Sequence, residues 1–162
     1  MDEQIKAIDC LITPNPARST PRWGADYLFK GTTERLTKGT TIEQMIQEME
    51  EAEIEKGIID MYHSSLTSDE ERESTRAAVL KHPERFIPAM GVNPRNGMEE
   101  LRKMERAVRD EAVQVIRMGP WRIQLPPNDK IYYPFYAKAI ELGVAVQVNV
   151  GFPGPQIGRA HV

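Results

Sequence analysis

The sequence has 162 residues, with 21 basic and 24 acidic side chains and a formal net charge of −3. This length suits one domain with a buried core, and the charge gives no electrostatic reason to expect nucleic acid or an anionic membrane as a partner. The single cysteine excludes an internal disulfide, and the lack of a long apolar run or a leader peptide predicts a cytoplasmic protein.

The first predicted strand covers residues 5–12, an apolar run that is followed by two prolines. On this strand we expect Asp9 to be a structural carboxylate bonded to backbone amides, and Cys10 to be a buried, unreactive thiol. A polar segment of residues 17–39 comes next. It is too long for a simple connector, and loops of this length are usually functional or mobile.

Two capping boxes predict the next helices. The first begins at Thr41, and apolar residues three and four positions apart continue the helix to an expected stop at Gly57. Residues 58–62 then form a second strand. The second capping box begins at Ser68, and its helix stops before Pro83, because the residue before a proline disfavours helical backbone.

The rest of the chain continues the alternation of strands and helices. Alternation of this kind predicts right-handed crossovers and a parallel sheet. Two architectures fit: an open flavodoxin-like sheet of about five strands, which the length favours, and a (β/α)₈ barrel, which typically needs about 250 residues. The predicted elements are strands at 86–92, 113–118 and 144–150, a helix from about residue 98 and a helix at 131–142.

Several segments, taken as a set, point to a known family. They are residues 7–9 (AID), 82–95 (HPERFIPAMGVNPR), 99–106 (EELRKMER), 113–117 (VQVIR), 133–143 (YPFYAKAIELG) and 144–151 (VAVQVNVG). The set resembles the amidohydrolase-related family, the branch of the amidohydrolase superfamily that includes aromatic-acid decarboxylases. The resemblance covers about residues 6–155 and implies the first five strands of a (β/α)₈ barrel.

The resemblance also identifies positions at which this chain departs from the family. The family's first strand ends in two metal-binding histidines, and this chain has Leu11 and Thr13 there; a third histidine on the fifth strand is replaced by Asn149. Leucine has no donor atom, and a neutral hydroxyl is a poor ligand for a divalent ion. We therefore assign no metal ligand in this chain, and the family implies zinc or manganese only for the intact parent protein.

The last residues, 156–162, do not resemble the family's segment beyond the fifth strand. Back-translated, they match a sequencing-library adapter read in frame. We therefore expect a partial barrel over residues 1–155 and a tail of non-native sequence after it.

Four side chains are expected at the carboxyl ends of strands, where barrel active sites form. His63 is an acid, a base or a ligand, or else a loop histidine bonded to nearby hydroxyls. Arg117 clamps a substrate carboxylate or makes a structural ion pair. Trp121 covers a pocket or packs on outer helices. Asn149 bonds to the substrate or to a neighbouring strand.

The resemblance implies a parent enzyme that cleaves a carbon–nitrogen or carbon–carbon bond in a small carboxylated compound, as a hydrolase or a decarboxylase. No catalytic residue is assigned, and we expect this chain alone to be inactive. Two alternatives stay open: a non-catalytic barrel that binds a small ligand, and a complete flavodoxin-like binding domain. The expected partner is a small-molecule substrate, without nucleic acid or membrane, and the sequence is compatible with a homo-oligomer.

Overall fold

The computed structural model describes residues 7–17, 33–63 and 66–149 of the chain. Strands and helices alternate through these residues, as the sequence predicts. In chain order the elements are β1 (Ala7–Ile12), α1 (Thr33–Lys38), α2 (Ile42–Glu51), β2 (Ile54–Asp60), α3 (Asp69–Lys81), β3 (Phe86–Val92), α4 (Gly97–Asp110), β4 (Val115–Met118), α5 (Pro120–Ile123), α6 (Tyr133–Leu142) and β5 (Ala145–Val148).

The strand order decides between the two predicted architectures. The five strands are arranged in the sheet as β1-β2-β3-β4-β5, and the strand pairs are parallel. A flavodoxin-like sheet has the order 2-1-3-4-5, in which the direction of growth reverses. An unreversed order is that of successive units in a (β/α)₈ barrel. The truncated-barrel prediction is confirmed, and the flavodoxin-like alternative is wrong.

The chain divides into two compact units, residues 1–89 and 90–162, so that β3 begins in the first and ends in the second. In the first unit both predicted capping boxes are present. The hydroxyl of Thr41 accepts from the amide of Gln44 at 3.2 Å, and the Gln44 side chain accepts from the amide of Thr41 at 2.9 Å. Ser68 and Glu71 make the same exchange at the start of α3. These bonds satisfy backbone amides that a first helical turn leaves without partners.

The predicted helix stop at Gly57 is wrong. Helix α2 ends earlier, and Glu53 takes the left-handed conformation, with a φ of 57°, that a terminal glycine often supplies. Gly57 instead lies inside β2, paired with Asp9 of β1 and Phe86 of β3. A Cβ at position 57 would meet the end of the Ile12 side chain, so Ile12 would have to move if a larger residue stood there.

Strand β1 is an exposed part of the first unit. Ile8 and Leu11 are each 53% exposed, and Cys10 is exposed as well, which contradicts its predicted burial. The expectation failed because apolar composition predicts burial only where other elements cover the strand, and β1 stands at the end of the strand order. The structural role predicted for Asp9 is confirmed, since its Oδ1 accepts from the amide of Leu11 at 2.8 Å.

Strand β4, in the second unit, is more buried than β1. Every residue of β4 is buried, and β4 pairs with β5 in register from Val115 opposite Ala145 to Met118 opposite Val148. Helix α6 ends at Gly143 in the left-handed conformation, as the sequence predicts. The apolar core of the unit includes Leu101, Met104, Ala107, Ile116, Met118, Tyr132, Phe135 and Ala139.

Two sequence predictions fall wholly or partly outside the described residues. The 156–162 tail lies outside them, as do residues 18–32 of the polar 17–39 segment; the end of that segment forms α1. Within 7–17, 33–63 and 66–149, every helix is too short or too polar to cross a bilayer.

Candidate functional site

Polar side chains of β4 and β5 share one face in the second unit. Arg117 pairs in register with Gln147, and residues opposite one another in parallel strands point to the same side of a sheet. Alternate residues of a strand share a face, so Asn149 comes after Gln147 on this face. The backbone amide of Asn149 donates to the carbonyl of Met118 at 2.8 Å, which continues the pairing beyond the end of β5.

Arg117 is the buried charge of this face. It is 8% exposed, and its Nε donates to the side-chain Oε1 of Gln147 at 2.7 Å. Such a short, charge-assisted bond fixes the plane of the guanidinium. Because the local dielectric is low, a buried guanidinium also attracts an anion more strongly than an exposed one does. Its terminal nitrogens form a fork that matches the two oxygens of a carboxylate.

Trp121 lies on α5, directly after the carboxyl end of β4, and is half-buried. The guanidinium carbon of Arg122 is 5.0 Å from the centroid of the Trp121 ring, which is a cation–π contact. The sequence predicted neither α5 nor this contact. The indole is thus an aromatic surface next to the strand end that carries Arg117.

Two tyrosines support the segment after Trp121. The hydroxyl of Tyr132 donates to the carbonyl of Leu125 at 3.3 Å, and that of Tyr136 donates to the carbonyl of Pro127 at 2.6 Å. Burial raises the pKa of both phenols above the ordinary value, and the neighbouring tyrosine of each contributes in the same direction. Both hydroxyls are therefore protonated donors at neutral pH.

His63 lies in the first unit, beyond the carboxyl end of β2. It is half-buried, and its backbone amide donates to the carbonyl of Asp60 at 3.3 Å. Asp60 is 4% exposed, and its Oδ1 accepts from the amide of Tyr62 at 2.9 Å. Of the four predicted residues, the second unit therefore contains Arg117, Trp121 and Asn149, whereas His63 belongs to the first.

Two residues of these strand ends, Asp60 and Gln147, were not predicted from the sequence. Asp60 is the single charged residue of the apolar run 58–62, and a carboxylate within such a run is a signal for a strand-end site. Gln147 interrupts a run of valines two positions before Asn149, which is the period of one strand face. Both signals were present in the sequence.

The described residues do not fit the divalent-metal site that the family implies. Leu11 has no donor atom and is 53% exposed, and Thr13 offers only a neutral hydroxyl. Asn149 offers one amide oxygen. Among the residues that the structure describes, no three His, Cys, Asp or Glu side chains come together as a metal-binding group. No reaction step is therefore assigned to a metal.

Comparison with known proteins gives one family and several similar folds. The sequence profile of the family described as Amidohydrolase matches residues 8–162. A 5-carboxyvanillate decarboxylase from Sphingomonas paucimobilis is 15% identical with a TM-score of 0.64, covering 96% of this chain and 55% of that one. A dihydroxybenzoic acid decarboxylase from Polaromonas, solved with manganese and the inhibitor 2-nitroresorcinol, is 16% identical with a TM-score of 0.62, covering 93% and 52%.

A 2,6-dihydroxybenzoate decarboxylase from Rhizobium is 17% identical with a TM-score of 0.59, covering 95% of this chain and 52% of that one. At such identities the likeness shows the fold alone. The chain spans about half the length of these solved structures, with 52% to 55% of each covered. No curated protein matches the chain.

Proposed function

The chain belongs to the amidohydrolase family, and on that premise we propose that it binds a small aromatic carboxylate at the carboxyl ends of β4 and β5. The observation that carries this proposal is the buried guanidinium of Arg117, which Gln147 holds at 2.7 Å. The names of the similar structures support the ligand class, since they are decarboxylases of hydroxylated or methoxylated benzoic acids.

Each residue of the second-unit site has a role that its chemistry allows. Arg117 holds the carboxylate through two parallel N–H···O bonds from Nη1 and Nη2. Trp121 packs against the aromatic ring, and the amide of Asn149 bonds to a polar ring substituent. His63 is a separate candidate of the first unit, where an imidazole can accept and donate a proton.

For the whole protein, the proposal extends to cleavage of the bond that joins the carboxylate to the ring, or to hydrolysis of a carbon–nitrogen bond. The family implies zinc or manganese for that chemistry, and manganese is present in the Polaromonas structure. Because the described residues do not fit a metal, the assigned steps are binding and orientation of the carboxylate. A cytoplasmic location, the absence of nucleic-acid and membrane partners, and a homo-oligomeric state stay predictions from sequence.

A non-catalytic ligand-binding protein is the second candidate. Leu11 and Thr13 favour it, because they stand where the family places two metal-binding histidines. The two candidates differ in turnover by the intact protein: release of carbon dioxide or ammonia from a carboxylated aromatic favours the enzyme, and tight binding without release favours the binder. We expect residues 1–162 alone to bind without turnover, so product release by this chain would contradict that expectation.

Calorimetric titration with 2,6-dihydroxybenzoate tests the proposal. Arg117→Met is expected to weaken binding about 10- to 100-fold, the range for the loss of hydrogen bonds from a charged group. The control is Arg106→Met, which removes an exposed arginine of α4. Equal affinity in the parent and in a folded Arg117→Met protein would contradict the proposal. Because Arg117 is buried, Arg117→Lys serves as a second variant that keeps the charge and loses the fork.

A further inference from the structure

Three side chains donate to alternate carbonyls of the segment after β4. Arg95 Nη2 donates to the carbonyl of Ile123 at 2.8 Å. The hydroxyls of Tyr132 and Tyr136 donate to the carbonyls of Leu125 and Pro127. Helix α6 supplies Tyr136 and the turn before it supplies Tyr132, whereas Arg95 comes from the turn after β3, so donors from three places along the chain hold this one segment.

The Ile123 carbonyl is well placed to accept a hydrogen bond from a cationic side chain. Ile123 is the last residue of α5, and the next residue, Gln124, takes the left-handed conformation, with a φ of 54°. The last carbonyls of a helix have no partner within the helix. A guanidinium satisfies such a carbonyl with a charge-assisted hydrogen bond.

The turn that carries Arg95 is itself fixed by a buried carboxylate. Glu100 is 7% exposed, and both of its oxygens are used: Oε1 accepts from the amide of Asn93 at 3.2 Å, and Oε2 accepts from the side chain of Asn96 at 2.9 Å. The side chain of Asn93 in turn accepts from the backbone amide of Arg95 at 3.1 Å. The backbone of Arg95 is thus held in place before its side chain reaches Ile123.

We propose that Arg95 is a positioning residue for Trp121. Its bond to the Ile123 carbonyl fixes the segment after β4, so that the Trp121 ring stays in one position and forms a wall of the site, the indole wall, at the carboxyl end of β4. Trp121 stands two residues before Ile123 on the same four-residue helix, so a shift of that carbonyl moves the indole. The effect of this wall on a ligand rests on the proposed function, whereas its effect on the segment does not.

Hydrogen exchange tests the effect on the segment. The amides of Arg122 and Leu125 are bonded to the carbonyls of Gly119 and Pro120. In Arg95→Gln these two amides are expected to exchange at least about tenfold faster, the factor for one lost bond to a charged donor. The control Arg109→Gln removes an exposed arginine of α4 and should leave them unchanged. Unchanged exchange in Arg95→Gln, or an equal rise throughout the unit, would overturn the proposal.

Fluorescence gives a signature of Trp121 itself. Trp23→Phe leaves Trp121 as the one tryptophan of the chain. In that background, Arg95→Gln should shift the emission to the red and raise quenching by acrylamide, and Arg95→Lys should restore part of the parent spectrum. An unchanged spectrum in Arg95→Gln would contradict a positioning role.

Selectivity between benzoate and acetate tests the effect on the ligand. Acetate has the carboxylate without the ring. In Arg95→Gln, displacement of the indole wall should therefore lower benzoate affinity about three- to tenfold and leave acetate affinity unchanged. Faster amide exchange in Arg95→Gln with unchanged selectivity between benzoate and acetate would contradict a role of the indole wall in ligand binding. If the parent protein binds neither acid, the proposed function fails, and the exchange and fluorescence results still decide the role of Arg95.

Discussion

Two arginines, one in each unit, lie at opposite ends of their strands and have different partners. Arg85 directly precedes β3 and donates to the backbone carbonyls of Ile54 and Glu55 and to the carboxylate of Glu50. Arg117 lies near the carboxyl end of β4 and donates to the side chain of Gln147. In (β/α)₈ folds the amino-terminal face serves stability and the carboxyl-terminal face carries the site. We therefore expect the first arginine to hold the fold and the second to hold a ligand.

The largest effect is expected at Arg85, whose side chain is 17% exposed. Arg85→Met removes three hydrogen bonds from a charged donor and should lower the free energy of unfolding by about 3 kcal/mol. Urea unfolding followed by circular dichroism measures the change. Arg72→Met, which removes an exposed ion pair with Asp69, is the control and should cost less than about 1 kcal/mol. If Arg85→Met lowered the free energy of unfolding as little as Arg72→Met does, Arg85 would not have the stabilising role that distinguishes it from Arg117.

The next effect is expected in ligand binding, at the partner of Arg117. Gln147→Glu keeps an acceptor for Nε but places a negative charge beside the carboxylate site, so benzoate should bind about tenfold more weakly. Calorimetry measures the affinity. Gln114→Glu, which changes an exposed glutamine just before β4, should leave affinity unchanged. Tighter binding in Gln147→Glu would mean that the ligand does not meet the guanidinium.

A smaller effect is expected from pH, in the second unit. Because the pKa values of Tyr132 and Tyr136 are raised in the folded state, mainly by burial, folding favours the protonated phenols. Their contribution to stability is complete below the unfolded value of about 10 and is lost as pH rises through the folded values. Urea midpoints between pH 8 and 11 should therefore fall at the alkaline end. The Tyr132→Phe/Tyr136→Phe double variant should flatten that fall, and an unchanged pH dependence would contradict the assignment.

The smallest effect is expected from metal ions. With Leu11 and Thr13 at the end of β1, millimolar manganese or zinc should move the melting temperature of the parent chain by less than about 1 °C. In Leu11→His/Thr13→His, two imidazoles enter at those positions, and the same metal should raise the melting temperature. A large rise in the parent would show that the chain has a metal site that these positions do not supply.

Local signals predicted most of the fold. Strand β3 has the predicted bounds, Phe86–Val92, and the capping boxes at Thr41 and Ser68 begin their helices where expected. Local signals failed at a glycine, a residue type that is found both at helix ends and inside strands. Gly57 has the pattern of a helix end, but it lies in β2, where it pairs with Asp9 of β1 and Phe86 of β3.

The candidate site was predictable in part. Arg117 was predictable as a site residue, because it is a charged residue near the end of an apolar strand. The bond to Gln147 depends on the register between strands that are 30 residues apart in sequence, and no local pattern specifies that register. Arg95 was missed because its acceptor is the backbone carbonyl of Ile123, and a backbone carbonyl carries no sequence signal.

Spectra of the Arg117 side chain show whether its guanidinium binds the ligand. Nitrogen-15 spectra of the arginine Nε–H groups, with Arg117 assigned by the loss of its signal in Arg117→Met, can be recorded while benzoate is added to the chain. We predict that the Arg117 signal shifts along a saturable curve whose dissociation constant matches calorimetry, and that the Arg85 signal stays in place. Saturable benzoate binding that leaves the Arg117 signal unmoved would mean that the ligand binds elsewhere than at Arg117.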